Sequence, residues 1–548
     1  MILLKDGLIY DGSENPPFRG SILIDKGIIL QIIKGKFQNN TVNANINNIE
    51  VNDATNESDK LKIIDCSNLC ISPGFIDAHS HNDFFAASPG NLKYFKPFIE
   101  QGVTTIVTGN CGFSTSGYLK DTLYKKELGG GLFNIDQQDF SSFENWGKLV
   151  DNNCPVNILS LLGHGSLRIS LNSTKSNSLN KNQMDRMLEI IDKNLSEGAA
   201  GVSFGLMYVP GRFAPQDEII KIARLVKSHD KIISFHARAY SKVSTSYSPP
   251  IGGKAHGLRA IEEVIDIARK SGAKTQLSHL IFVGKNSWDY VDDALRLIEK
   301  ARDEGIDIMF DTYAMDFGAS IITVVLPSWY LALTENKRKN KIIKIRAFLE
   351  INLAKRFLGF DFNDILISDT AGSAKEIEGK TIYQLAKDWK ISEFEAYLKV
   401  VEMTKAKAEV LMFKYSNEEI LEKLRNHKLA LYMSDAWVKD NGVQNYAVYY
   451  NFLKFIILAK NKGGSIESAI NKMTAAVAQR YNIKDRGFIK EGFKADLTVF
   501  DINKLNYKEK SEERPQGIEY VFINGKDVLS NGKLDEKIAQ NSGEFIRV

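Results

Sequence analysis

The chain has 548 residues, of which 43% are hydrophobic and 25% charged, values typical of a globular protein. Its 71 lysines and arginines against 67 acidic residues give a net charge of +4, too mild over this length to indicate a nucleic-acid partner. No run approaches the roughly 18 apolar residues of a membrane span, and the N-terminus lacks the features of a secretory signal. We expect a cytoplasmic enzyme with neither nucleic acid nor membrane as a partner.

Both ends of the chain predict short β-strands. In residues 1–70, ILLKDGLIYDG and GSILIDKGIILQII alternate or run apolar between DG and KG turns. The Asn-rich stretch 39–60 is polar and predicts a surface loop. Strand patterns return in residues 486–548, where the NG pair of INGK predicts a hairpin. We expect 1–70 and 486–548 to form one small β-sandwich domain together.

Residues 71–485 alternate strand and helix patterns. Between the apolar strands lie amphipathic stretches such as QDEIIKIARLVKSHD, whose apolar residues recur at i, i+3, i+4 and i+7. Eight strands are predicted, in ISPGFIDAH, GVTTIVTGN, VNILSLLGHG, AAGVSFGL, KIISFHAR, AKTQLSHL, IDIMFDTYA and LALYMSD. The count of eight favours an α/β fold of the (β/α)8 TIM-like barrel type over an open doubly wound sheet.

One stretch interrupts this alternation. Residues 321–425, between the seventh and eighth strands, are rich in Lys, Glu and helical patterns. They predict an inserted subdomain on a βα loop. Such loops surround the active site of a barrel, so the insertion could shape a pocket or cover it.

The ends of the predicted strands carry an unusual set of polar residues. His79 and His81 are two positions apart after the first strand, so they point to one side. Five of the eight histidines, together with a cysteine and an aspartate, fall at strand ends: His79, His81, Cys111, His164, His236, His279 and Asp435. Singly, each histidine could be a satisfied structural residue, and Asp435 could be a helix N-cap. As a set they predict a site, because catalytic groups of a barrel converge at these ends.

This combination of residue types indicates a metal. Histidine, cysteine and carboxylate ligands suit zinc, whereas a thiolate argues against magnesium or calcium. A zinc ion with three protein ligands keeps a position for water, and Asp435 is a natural acceptor for the proton of that water. The predicted chemistry is hydrolysis of an amide or related bond in a small-molecule substrate.

The strand ends, in this order, resemble the amidohydrolase superfamily. GFIDAHSH is similar to its first-strand signature, and AAVAQRYNIKDRGFIKEGFKADLTVFD to its return to the β-domain. Within it, TGNCGFS, LGHGSLR, GLMYVPGRFA and SDAW resemble motifs of the N-acyl-D-amino-acid deacylases, or D-aminoacylases. The resemblance implies a tight zinc site of Cys111, His236 and His279. It also implies a weaker second site with His79 and His81, and Asp435 as general base and acid.

The resemblance also implies a substrate-binding set, from which the chain departs in places. Ile281 stands near the position where the family commonly has a lysine for the substrate carboxylate, and Lys285 is the nearest substitute. The expected substrate-binding residues are His164, Tyr208, Arg212, Arg238, Lys285, Tyr313 and Ser320. The departures leave the acyl group, the side chain and the preference for D or L substrates open.

Two alternative functions remain at this stage. A cyclic amidase of the dihydroorotase or hydantoinase type would share the fold, but many binuclear amidohydrolases carry a lysine on the fourth strand, which GAAGVSFGLMY lacks. A non-catalytic binding protein on the same fold would not need Asp435. The oligomeric state is not predicted from the sequence.

Overall fold

The computed structural model describes residues 1–37, 61–129, 139–244, 246–247, 253–331, 333–338 and 340–548. The Asn-rich stretch 39–60, predicted as a surface loop, lies outside the described residues. Strands occupy Ile2–Ile9 (β1), Phe18–Asp25 (β2), Ile28–Lys34 (β3), Lys62–Asp65 (β4), Cys70–Pro73 (β5), Phe75–Asp77 (β6), Val103–Thr108 (β7), Asn157–Ser160 (β8), Leu162–Gly163 (β9), Gly201–Gly205 (β10), Ile232–His236 (β11), Lys274–Leu277 (β12), Ile308–Thr312 (β13), Gly318–Ile321 (β14), Ile365–Asp369 (β15), Glu409–Met412 (β16), Ala430–Tyr432 (β17), Leu497–Phe500 (β18), Ile518–Ile523 (β19), Lys526–Ser530 (β20), Lys533–Leu534 (β21) and Phe545–Ile546 (β22).

The helices mostly fall where the amphipathic patterns predict them. They occupy Leu92–Glu100 (α1), Phe143–Val150 (α2), His164–Asn172 (α3), Lys181–Ser196 (α4), Gln216–Ser228 (α5), His256–Ser271 (α6), Val291–Asp303 (α7), Ser328–Leu331 (α8), Glu335–Arg338 (α9), Lys341–Leu358 (α10), Ile382–Trp389 (α11), Glu393–Met403 (α12), Glu418–Asn426 (α13), Ala447–Asn461 (α14), Ile466–Lys472 (α15), Ala475–Arg480 (α16) and Glu536–Ala539 (α17). Within the described ranges, no helix combines the length and the apolar character needed to cross a membrane.

Strands from both chain ends share one nine-stranded sheet, in the order β21-β20-β19-β18-β5-β1-β2-β3, with β4 paired to β1. The junction between the two ends is the antiparallel pair of β18 and β5, in which Leu497 lies opposite Pro73. Leu4, Ile22 and Val499 belong to the apolar cluster of this sheet. Alternating apolar residues in both terminal segments are thus buried against each other.

The central strands form two parallel sheets. One has the order β17-β13-β12-β11-β10-β9, and the other the order β22-β8-β7-β6. Strands β8 and β9 are consecutive pieces of one segment, Asn157–Gly163. Beyond β6 and β17, Ser80 and Ala436 form a parallel bridge, and the Ala78 amide donates to the Tyr432 carbonyl. All six residues of β7 are buried, as expected for a parallel strand covered on both faces.

The segment between β13 and β17 contains more than the predicted helices. Strands β14, β16 and β15 form a separate three-stranded antiparallel sheet, surrounded by helices α8 to α13. The sheet starts six residues after β13, so the excursion leaves directly from the carboxyl end of a central strand. This position places the insertion beside the strand ends that carry the polar residues.

Candidate metal centre

Four of the predicted residues meet at the carboxyl ends of the central strands. One ligand atom from each of His79, Cys111, His279 and Asp435 lies within 4.8 Å of the others. His79, Cys111 and His279 are buried, and Asp435 is partly exposed. Separate strands supply them, since they follow β6, β7, β12 and β17 respectively. A group of this composition, open on one side, can hold a metal ion and admit a substrate.

The interatomic distances within this group suit a tetrahedral ion. The Cys111 sulfur lies 3.4 Å from His79 Nε2 and 3.4 Å from His279 Nε2. His79 Nε2 lies 3.3 Å from Asp435 Oδ1. Zinc bonds of about 2.0–2.3 Å at tetrahedral angles would separate ligand atoms by roughly 3.3–3.6 Å. The residue types present therefore fit zinc, and these three distances match the spacing that it requires.

The backbone at three of these residues is left-handed. The φ angles are +53° at Cys111, +31° at His279 and +50° at Asp435. Such a conformation costs roughly 1–3 kcal/mol in a residue other than glycine and concentrates at functional sites. Here it turns each side chain from the end of its strand toward the shared centre.

The turn after β7 depends on two glycines. A Cβ on Gly112 would lie 2.5 Å from the Gly205 nitrogen, and a Cβ on Gly205 would lie 2.1 Å from the Cys111 carbonyl oxygen. The NCG turn thus rests directly on the end of β10. This contact leaves no room for a side chain at the end of the fourth central strand, where Gly205 stands.

Charge interactions make the site electrostatically distinct. Burial opposes ionisation of the Cys111 thiol, yet His79, His236 and His279 lower its pKa well below the ordinary value. Burial likewise opposes ionisation of Asp435. The positive charge of His279 and a hydrogen bond from His81 nevertheless lower the pKa of this carboxyl. Both shifts favour the ionised forms, a thiolate at Cys111 and a carboxylate at Asp435.

Two buried aspartates, missed in the sequence, position the metal-binding residues. Asp311 Oδ1 accepts a 2.6 Å hydrogen bond from the His279 amide and lies 3.6 Å from His79 Nδ1. Asp77 Oδ1 accepts from the amides of His79 and Ser434. Both aspartates could have been found in the sequence. Each is an acidic residue inside an otherwise apolar strand, and a buried carboxylate needs hydrogen-bond donors.

His81 and His236 lie at opposite sides of the four-residue group. His81 Nε2 is 3.4 Å from Asp435 Oδ1. The His236 ring is 4.5 Å from the His279 ring, centroid to centroid. Both ring nitrogens of His236 are buried without a hydrogen-bond partner in the described structure. Such nitrogens are available to a ligand, although His236 falls outside the set whose ligand atoms all lie within 4.8 Å.

Two predicted substrate-binding residues are engaged by carboxylates from neighbouring helices. His164 Nε2 lies 2.8 Å from Glu218, which also accepts from Arg168. Arg238 makes a bidentate pair with Glu263 and donates to the Arg212 carbonyl. These contacts hold the side chains in fixed positions, which the sequence patterns did not anticipate.

Aromatic hydroxyls surround the open side of the centre. The Tyr208 ring is 4.4 Å from the His236 ring. The Tyr313 hydroxyl is buried and has no hydrogen-bond partner in the described structure. Burial and then the charge of Asp435 raise the pKa of Tyr313 well above its ordinary value. Tyr415, not predicted from the sequence, is also close enough to Asp435 for that charge to raise its pKa, after burial.

The remaining predicted positions differ in accessibility. Lys285 is exposed on the surface. Ser320 lies in β14 beside the Tyr415 hydroxyl. Ile281 is buried among apolar residues, so no cation occupies that place. Arg212 is partly buried in the turn after β10.

These observations describe a candidate metal centre whose residues stand at the carboxyl ends of parallel strands. No family model matches the chain. Among curated proteins, the D-aminoacylase of Alcaligenes xylosoxydans xylosoxydans is 25% identical over 85% of this chain and 85% of its own length. The N-acyl-D-aspartate deacylase of the same organism is 24% identical over 85% and 83%, respectively.

The solved structures with a similar fold include proteins of the same kinds. A D-aminoacylase described as defining a subset of amidohydrolases superposes with a TM-score of 0.77 at 21% identity, covering 100% of this chain and 99% of its own. The N-acyl-D-glutamate deacylase of Bordetella bronchiseptica, in complex with zinc and a phosphonate inhibitor, gives 0.75 at 22% identity over the same shares. The resemblance to the D-aminoacylase family predicted from the motifs is confirmed.

Proposed function

We propose that this protein is a zinc-dependent deacylase that hydrolyses the amide bond of N-acyl-D-amino acids. The observation that carries the proposal is the convergence of His79, Cys111, His279 and Asp435 within 4.8 Å at the ends of the central strands. The curated relatives, which are N-acyl-D-amino-acid deacylases, supply the substrate class.

The ligand sets proposed here are those that the resemblance implies. Cys111, His236 and His279 would hold the tightly bound zinc, and His79 and His81 a second, weaker ion. The position of His79, 3.4 Å from the Cys111 sulfur, supports a thiolate shared between the two sites. Bound zinc lowers the pKa of water toward about 7 and polarises a carbonyl oxygen.

Asp435 is the proposed general base and acid. Its lowered pKa keeps it ionised at neutral pH, so it can accept the proton of the attacking water. The same carboxyl then gives that proton to the departing amine. The contacts with His79 and His81 hold its Oδ1 toward the reacting centre. The products are a carboxylate and a free amino acid.

The substrate would lie against the aromatic side of the site. The unpartnered Tyr313 hydroxyl can donate to a substrate carboxylate, and Tyr208 can pack against the substrate beside His236. We propose a substrate-binding role for these and for His164, Arg212, Arg238, Lys285 and Ser320. His164 and Arg238 would act while held by Glu218 and Glu263.

The finer architecture belongs to the same proposal. The Ser80–Ala436 bridge between the first and last central strands supports a closed (β/α)8 barrel over residues 71–485, with the insertion at 321–425. Residues 1–70 and 486–548 would form the β-sandwich domain. A cytoplasmic location remains a prediction.

The cyclic-amidase alternative has weaker support. The L-hydantoinase of Arthrobacter aurescens superposes with a TM-score of 0.55 at 15% identity, below the values for the deacylases. Gly205, which rests on the Cys111 turn, also leaves no side chain at the end of the fourth central strand. No contact in the described structure favours a cyclic substrate.

A substrate panel tests the proposal. The purified protein, with its zinc content measured, is assayed on N-acetyl and N-formyl D- and L-amino acids, and on hydantoins and dihydroorotate. We expect turnover of N-acyl-D-amino acids that a chelator removes and zinc restores. Activity confined to the cyclic amides, or full activity in metal-free protein, would contradict the proposal.

A further inference from the structure

Helix α10 is apolar on two opposite faces, and only one of them is covered. Ala347 and Ile351 point inward and are at most 1% exposed. On the other side, the exposed fractions are 77% for Ile342, 58% for Ile345, 61% for Leu349 and 48% for Leu353. Their spacing of i, i+3, i+7 and i+11 aligns these four residues, here called the α10 outer face, along one side of the helix.

The exposed apolar side chains of the described structure are concentrated on α10. Of the fifteen large hydrophobic residues that are exposed in the described structure, six lie on α10: the outer face together with Phe348 and Phe357. Single exposed apolar residues are ordinary on protein surfaces, but a contiguous set marks an interaction site.

The charge around this face is strongly positive. Residues 337–356 contain eight lysines and arginines and one acidic residue, Glu350. One of the eight, Lys355, is paired with Asp361 and Glu393. Glu350 is already bonded to Arg346. Lys341, Lys344 and Arg356 are exposed and form no ion pair with any residue that the structure describes.

We propose that the α10 outer face binds the surface of an anionic lipid membrane. An apolar stripe flanked by lysine and arginine is the pattern of a helix that lies in a membrane interface, where the apolar side chains enter and the cations meet lipid phosphates. The chain would attach to the membrane surface through this face of the helix. This inference does not rest on the proposed deacylase activity.

A second copy of the chain is a poorer occupant for the same face. Antiparallel contact about a twofold axis at Leu349 would bring Arg346 and Arg356 of both copies into the interface. The acidic residue available there is Glu350, which Arg346 already neutralises. Buried like charges without partners disfavour such an interface.

Vesicle sedimentation tests the proposal with the full-length protein. The vesicles are phosphatidylcholine alone, or phosphatidylcholine with about one third phosphatidylserine. We expect binding to the anionic vesicles, at least tenfold weaker at high salt because the attraction is screened. Lys341→Gln with Arg356→Gln should weaken binding about thirtyfold, and Ile345→Ser with Leu349→Ser should abolish it.

Matched control variants distinguish binding through this surface from non-specific adsorption to vesicles. Leu123→Ser removes another exposed apolar side chain, and Lys175→Gln with Lys181→Gln removes two exposed lysines elsewhere; both should bind as the parent protein does. Absence of sedimentation, or equal binding to neutral vesicles, would overturn the proposal. So would a dimer in light scattering that Ile345→Ser with Leu349→Ser dissociates, because that result assigns the face to a second copy.

Discussion

Asp311 offers a sharp test of how the site is held together. Its carboxylate accepts from the His279 amide at 2.6 Å and from Gln276 Nε2 at 3.0 Å, and lies 3.6 Å from His79 Nδ1. Asp311 is fully buried, so water cannot replace it. One side chain therefore anchors the backbone of His279 and lies beside the imidazole of His79. A carboxylate next to a ligating imidazole orients the ring in metal sites.

Two substitutions at this position separate its charge from its packing. Asp311→Asn keeps one acceptor oxygen but removes the charge that steadies His79. Loss of such a partner typically weakens metal affinity 10- to 100-fold, or about 1.4–2.7 kcal/mol. Asp311→Ala leaves two buried donors, the His279 amide and Gln276 Nε2, without their acceptor, at about 1–3 kcal/mol each. We expect the alanine variant to lose several kcal/mol of unfolding free energy.

The measurements are zinc affinity by chelator competition and urea unfolding of the metal-free protein. Asp303→Asn, on the exposed end of α7, is the control and should change neither quantity. If Asp311→Asn bound zinc as tightly as the parent protein, the reasoning would be refuted, because the carboxylate would then be dispensable for positioning His79.

Four further predictions address the site and its surroundings. Cys111→Ser should leave most of the protein without zinc after dialysis, since a hydroxyl does not replace a thiolate; full zinc occupancy would rule out the cysteine as a main ligand. Asp435→Asn should lower kcat by about 10²–10⁴ while the tight zinc stays bound, and an unchanged kcat would remove its role as base. Tyr313→Phe should raise KM for a carboxylate-bearing substrate about 10-fold or more, through loss of one hydrogen bond to a charged group, whereas an unchanged KM would place the carboxylate elsewhere. The pKa of Glu218 is lowered, against the effect of burial, by His164 and Arg168; its stabilising effect is full above the ordinary value of 4.5 and is lost as pH falls through the folded-state pKa. In the Glu218→Gln variant, the free energy of unfolding should therefore decrease less steeply as pH falls below that value. The same pH dependence as in the parent protein would contradict this.

The convergence of the candidate metal-binding residues was predictable because these rare residue types stand at regular places, the ends of predicted strands. His79, Cys111, His279 and Asp435 each end an apolar strand, and parallel strands bring their carboxyl ends together. The resemblance to the D-aminoacylases rested on the same residues. The pattern could not reveal which residues would pair with these side chains. In the sequence HARAY nothing indicates a partner for Arg238, yet it is paired with Glu263, a residue of helix α6.

The insertion contains structure that local sequence patterns did not predict. Residues 321–425 predicted helices, yet β14, β15 and β16 form a sheet there through pairings between residues up to 94 positions apart. Short strands of this kind have no distinctive periodicity, and their partners are chosen by packing. The exposure of Ile345 and Leu349 was likewise not predicted, because the sequence marks 321–425 only as an insertion rich in Lys, Glu and helical patterns.

The sequence by itself determined the alternation of strands and helices, the β-rich ends and the candidate metal-binding side chains, because these depend on residue type and short-range periodicity. The tertiary structure decided how those side chains meet. The left-handed backbone at Cys111, His279 and Asp435, the contact of Gly112 with Gly205 and the anchoring by Asp311 all arise from packing between distant segments. Distances between residues hundreds of positions apart are set only when the chain folds, and at this site they determine the chemistry.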